Sequence, residues 1–161
     1  AFDMLSDLLS SGRSSRFVQH LVQDKQIFNS IDAYISGSID NGLFHIVGKP
    51  APEKTLEEAE KAIWEELALL TEGSIDENEL EKVKNRYESE QIFNNLNYLN
   101  VATNLAYFEL IGKAEDINTE VEKYRSVTQE QIKRAAKQTF LPENCSVLYY
   151  KAAAKGASHT P

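Results

Sequence analysis

The chain has 161 residues, 42% of them hydrophobic and 26% charged, an ordinary balance for one globular domain. A net charge of -8, with 25 acidic against 17 basic side chains and no basic stripe, argues against a nucleic-acid binder. The apolar runs are too short to span a bilayer, and one cysteine, Cys145, excludes an internal disulfide and a cysteine-based metal knuckle.

Phe2, Leu5, Leu8 and Leu9 recur at helical spacing, with Gly12 placed to end the helix in the left-handed region. Ser14 or Ser15 then suits an N-cap for a short second helix whose inner face carries Phe17, Val18, Leu21 and Val22. Arg13 and Arg16 read as loop and helix-surface charge. From Ile27 the period becomes two, so Ile27, Ile31, Ala33 and Ile35 share one strand face and Phe28, Ser30, Asp32 and Tyr34 the other. That phase sets Asn29 among the apolar residues, the odd member of the strand. Residues 37–42 carry hairpin-turn residues, Leu43 to Gly48 returns, and Pro50 and Pro52 stop the pairing.

Helix signals then dominate. Thr55 with Glu58 forms a capping box before the stripe Leu56, Ala59, Ile63, Leu67 and Leu70, and Gly73 closes that helix. The run Glu57, Glu58, Glu60, Glu65 and Glu66 reads as its solvated face. Asp76 and Glu79 have box-like spacing before Leu80, Val83 and Tyr87. The asparagines at 94, 95, 97 and 100 predict a break, followed by a helix through Leu105 and Leu110 to Gly112. Val121 and Tyr124 mark a short helix, and Thr128 with Gln131 caps one that runs to Phe140 before Pro142. Ser146 to Tyr150 reads as a last strand, and 152–161 as a disordered tail.

The expected fold class is α+β: an antiparallel or mixed sheet with helices packed on one face, forming one domain over residues 1–151. Three strands are few for so much helix and leave an open edge, so the sheet is expected to lack its first strands, which precede Ala1. No catalytic group emerges from the residues. His20, His45 and His159 are too scattered for a metal site, no G-x-S-x-G elbow occurs, and Cys145 reads as a small buried residue.

The segment Leu8-Leu-Ser-Ser-Gly-Arg-Ser-Ser-Arg-Phe17, followed by Leu21 to Lys25 and the strand to Tyr34, resembles the second domain of the insulinase/pitrilysin zinc peptidases, the H-x-x-E-H enzymes. The likeness continues through Gly42-Leu-Phe44, the helix after Thr55, Ile75 to Lys84 and Val127 to Ile132. It implies half of a metallopeptidase clamshell, in which zinc sits in the parent protein's first domain and none in this chain. It further implies a chamber that admits an unfolded peptide substrate. The partner is then a first peptidase domain, in the same parent chain or in a partner subunit. This chain alone is not expected to hydrolyse anything. The family's second domain places substrate with an Arg and a Tyr seven residues apart; the matching positions here are Val22 and Asn29, both substituted, making them the candidate substrate-binding residues. A second implication is a scaffold or peptide-binding subunit of an inactive homologue. Apart from the resemblance, an acidic, helix-rich interaction module fits as well. The compartment stays open, cytoplasmic and periplasmic both fitting.

Overall fold

A computed structural model of the chain describes residues 1–37 and 42–151. The expected hairpin turn, save its ends, and the expected tail, with His159, fall outside the described residues.

Two strands pair antiparallel, β1 (Phe28–Ser36) and β2 (Leu43–Pro50). Among the described residues six α-helices accompany them: α1 (Phe2–Ser10), α2 (Leu56–Glu72), α3 (Glu77–Asn94), α4 (Tyr98–Ile111), α5 (Glu120–Arg125) and α6 (Gln129–Thr139). A π-helical segment, Phe17–Asp24, joins α1 to β1, and 3₁₀ turns lie at Ala114–Thr119 and Pro142–Asn144. The architecture is α+β, with α1 packed on β1 and with α6 packed against both α1 and α2.

Burial follows the amphipathic faces. Met4, Leu5, Leu8 and Leu9 of α1 meet Phe28, Ile31 and Ala33 of β1, and Leu67, Leu70 and Ile132 close the core from α2 and α6. The opposite sheet face carries Tyr34 stacked on His45 with ring centroids 5.0 Å apart, and His45 Nε2 lies 2.8 Å from Ser36 Oγ. His45 is thus a cross-strand surface residue.

Both capping boxes form, at Thr55–Glu58 and Thr128–Gln131. Asp76 caps α3 through the Asn78 N–H, but Glu79 does not complete a box; its carboxylate goes to Arg16 instead. The asparagine-rich break is real. Asn95 caps the end of α3, and the Asn97 side chain accepts from the N–H groups of Leu99 and Asn100 to start α4.

Other expectations are corrected. The phase of β1 reverses near its start, because Phe28 pairs with Pro50 and Ser30 with Lys49, leaving Asn29 as the extra residue of a bulge. A bulge inserts one residue and so exchanges the two faces around it. Phe28 therefore joins Ile31 in the core at 4% exposure, and Asn29 is exposed rather than part of an apolar face. The Phe28 ring lies over Gly48, where an added Cβ would come within 2.4 Å of Phe28 Cε1. Next, Ser146 to Tyr150 forms no ladder among the described residues. Cys145, expected to be buried, is exposed. Finally, Glu66 is not on a solvated face; it is fully buried.

Candidate functional site

The segment that resembles a substrate-positioning element is built at the junction of α1, the π segment and β1. Gly12 follows the C-cap of α1 with φ +90°, a conformation glycine takes without Cβ strain. Ser15 Oγ donates to the Gly12 carbonyl at 2.8 Å, and Ser14 Oγ accepts from Lys82 Nζ at 3.1 Å. Arg16 then clamps α3: its Nε and Nη2 donate to the two Glu79 oxygens at 2.8 and 2.9 Å, and Nη2 also reaches the Ser74 carbonyl at 3.3 Å. Burial alone would lower the guanidinium's pKa, but the bonds to Glu79 outweigh it and hold Arg16 above its ordinary value. Arg16 is therefore an internal anchor rather than free surface charge.

Beyond Arg16 the helix widens. The Lys25 N–H donates to the His20 carbonyl five residues back at 3.0 Å, the π spacing, and the Ile27 N–H reaches Leu21 O at 2.8 Å. Phe17 and Leu21 are buried, and Val22 is half-buried against the core. The turn into β1 forces Gln26 to φ +50°, a left-handed conformation that costs a non-glycine residue about 1–2 kcal/mol. The Asn29 bulge follows three residues later. A π segment, a left-handed Gln26 and a bulge thus fall within thirteen residues, and both candidate positions lie inside that stretch: Val22 half-buried within the π segment, Asn29 exposed at the bulge. Backbone irregularity of this kind concentrates where side chains must be aimed.

A buried polar pair supports the same corner. His20 Nδ1 lies 2.9 Å from both Glu66 oxygens, with the imidazole half-exposed and the carboxylate enclosed. An enclosed carboxylate without a donor is costly, so His20 is what allows Glu66 to sit inside α2's packed face. The spacing held this signal: Glu66 lies three residues after Ile63 and four before Leu70, on the stripe itself. Neither the π winding nor the Gln26 geometry has a comparable mark in the sequence.

A second polar contact secures α1 one turn before Gly12. Tyr124 Oη donates to Asp7 Oδ2 at 2.6 Å and its ring stacks on Tyr87 at 3.7 Å, so α1, α3 and α5 are pinned together. Burial raises the Asp7 carboxyl above its ordinary value and pushes the Tyr87 hydroxyl up to about 12. Burial and the Asp7 hydrogen bond drive Tyr124 higher still.

Among the described residues no three His, Cys, Asp or Glu side chains group to hold a metal ion, so the His20–Glu66 pair stands as a two-residue structural contact. No helix of the described residues is long and apolar enough to cross a membrane.

An α+β domain whose irregular junction is held by the Arg16–Glu79 ion pair and the His20–Glu66 contact, and whose described residues gather no metal-ligand set, is the class defined by this geometry. Residues 1–87, more than half of the chain, match the family described as "Peptidase M16 inactive domain", and the chain belongs to that family. Solved structures share the fold. A protease from Helicobacter pylori superposes with a TM-score of 0.77 at 24% identity, over 84% of this chain and 33% of that one. A "putative zinc protease" from Bordetella pertussis Tohama I gives 0.77 at 17% identity, over 89% of this chain and 78% of its own. The inactive peptidase domain of the like-described protein from Bordetella parapertussis gives the same values. This chain spans about a third of the length of the Helicobacter protein. No curated protein matches it.

Proposed function

We propose that this chain is the non-catalytic second domain of a zinc metalloendopeptidase and forms one wall of a peptide-binding chamber opposite a zinc-bearing first domain. The observation that carries the reading is the clustering of the π segment, the left-handed Gln26 and the Asn29 bulge around Val22 and Asn29, within the region that matches the inactive-domain family. In that role the wall supplies shape and backbone position. Val22 offers only apolar surface, and Asn29 offers an exposed amide able to donate to, and accept from, a peptide backbone. Zinc, and the water it activates, belong to the first domain, in the same parent chain or a partner subunit.

The test uses the intact parent protein, stripped of zinc with a chelator, and an unfolded peptide carrying a benzophenone photo-crosslinker. The reading expects crosslinks within residues 22–30, reduced by Asn29→Ala. Crosslinks confined to other surfaces would contradict it. The alternative, a scaffold or peptide-binding subunit of an inactive homologue, draws on the substituted Arg/Tyr positions. A parent whose first domain lacks H-x-x-E-H would favour it.

A further inference from the structure

β1 has two edges, and β2 pairs with one of them. Neighbouring residues of an antiparallel strand send their main-chain groups to opposite edges. At the start of the hairpin the Ala51 N–H donates to the Ile27 carbonyl, and Pro50, opposite Phe28, has no N–H to give. The bulge at Asn29 then shifts the alternation by one. Asp32 and Tyr34 therefore bond to β2, while Ile31, Ala33 and Ile35 turn their amides and carbonyls outward. No third strand pairs along that outer edge among the described residues. A bare edge of this kind takes up extended polypeptide through its main chain.

Side chains block the centre of this edge. The Ala33 N–H donates to Asp32 Oδ1 at 3.0 Å. The Ser10 hydroxyl, on the last residue of α1, lies 3.0 Å from the Ala33 carbonyl oxygen and 2.8 Å from the same Asp32 Oδ1, its one proton shared between them. Both groups that an added strand would need at Ala33 are thus taken, and Ala33 is 5% exposed. Aspartate is disfavoured within strands, and Asp32 stands on the exposed sheet face, where packing does not demand it. Its contact with the edge accounts for its place.

We infer that Ser10 and Asp32 form a latch that closes the outer edge of β1 to strand addition by an extended peptide. The choice of occupant rests on the chamber reading given above. A wall that meets unfolded peptide with a bare strand edge would grip it through the main chain, whatever its sequence, and hold it away from the zinc-bearing domain. With the latch shut, this wall offers the peptide side chains such as Asn29 in place of a ladder.

Exchange of single amides in the 161-residue chain tests the latch, with an unstructured, lysine-flanked peptide of alternating Val and Thr as the probe. In the wild-type chain the peptide should leave the Ile31, Ala33 and Ile35 amides unchanged. In Ser10→Ala/Asp32→Ala it should slow them about tenfold, the equivalent of one hydrogen bond per amide, while the inward amide of Tyr34 stays as protected as in wild type. Asp32→Asn keeps an acceptor for both donors and should behave as wild type, which a role for the Asp32 charge alone would not give. Slowing in the wild type, or none in the double variant with Tyr34 still protected, overturns the inference. So does slowing without peptide that rises with protein concentration, which would assign the edge to a second copy. If the double variant does not fold, Asp32→Ala alone should slow Ala33 in the presence of peptide, and no slowing there overturns the inference. Crosslinks at residues 22–30 of the parent decide the chamber reading separately from this edge.

Discussion

Two regions of this chain use hydrophobic residues in opposite ways. In α1, the π segment and β1, almost every large apolar side chain is enclosed: Met4, Leu5, Leu9, Phe17 and Leu21 are all fully buried. From the end of α3 through α4, Ile92, Phe93, Leu96, Tyr98, Leu99 and Leu110 are 60–90% exposed, and α4 buries no residue. Both regions satisfy the local rules for helices equally well. What differs is whether another element of this chain covers them. Helix formation is local, whereas burial depends on the partners supplied by the fold; α1 gathers its apolar residues on one face, while α4 spreads them around its axis and so has no single face to bury.

That contrast breaks most visibly by truncation. Phe17→Ala should destabilise the chain by about 3–5 kcal/mol in urea unfolding, since it empties a fully enclosed site. Gly48→Ala should cost about 2 kcal/mol through overpacking, because the new methyl displaces the Phe28 ring. His20→Ala should cost about 1.5 kcal/mol by removing the donor from Glu66, softened by the half-exposure of the imidazole.

The Asp7 carboxyl sharpens the comparison through pH. Its folded pKa is raised by burial, so the folded state holds that proton more tightly than the unfolded chain. The stabilisation is complete below the ordinary value of 3.8 and is lost as pH rises through the raised value. Asp7→Asn keeps an acceptor for Tyr124 and should flatten this part of the profile, leaving the variant at least as stable as wild type at neutral pH; a clear loss there would contradict the account. At the small end, Leu110→Ala on α4 should change stability by less than about 0.5 kcal/mol, because its side chain is 73% exposed.

Much of the framework was legible in the residues. The capping boxes at Thr55 and Thr128, the asparagine break and the α+β class follow from local rules, and the resemblance around Gly12–Phe17 agrees with the family match over residues 1–87. The misses share a cause, which is geometry set by tertiary pairing. Alternation places Asn29 on the apolar face, whereas the bulge leaves alternation intact on either side and merely shifts it. Glu66 resembles its acidic neighbours in composition, although its spacing places it inside. Glu79 fits a cap by sequence and serves Arg16 by structure. Ser146 to Tyr150 has strand residues without a ladder, which composition does not reveal.

The central claim, that catalysis resides outside this chain and this chain completes the chamber, is met most directly by peptide hydrolysis. The intact parent and the purified 161-residue chain would be given the same fluorogenic unfolded peptide, with and without a chelator. The account predicts chelator-sensitive cleavage by the parent and none by the chain. Chelator-sensitive cleavage by the chain alone would contradict it.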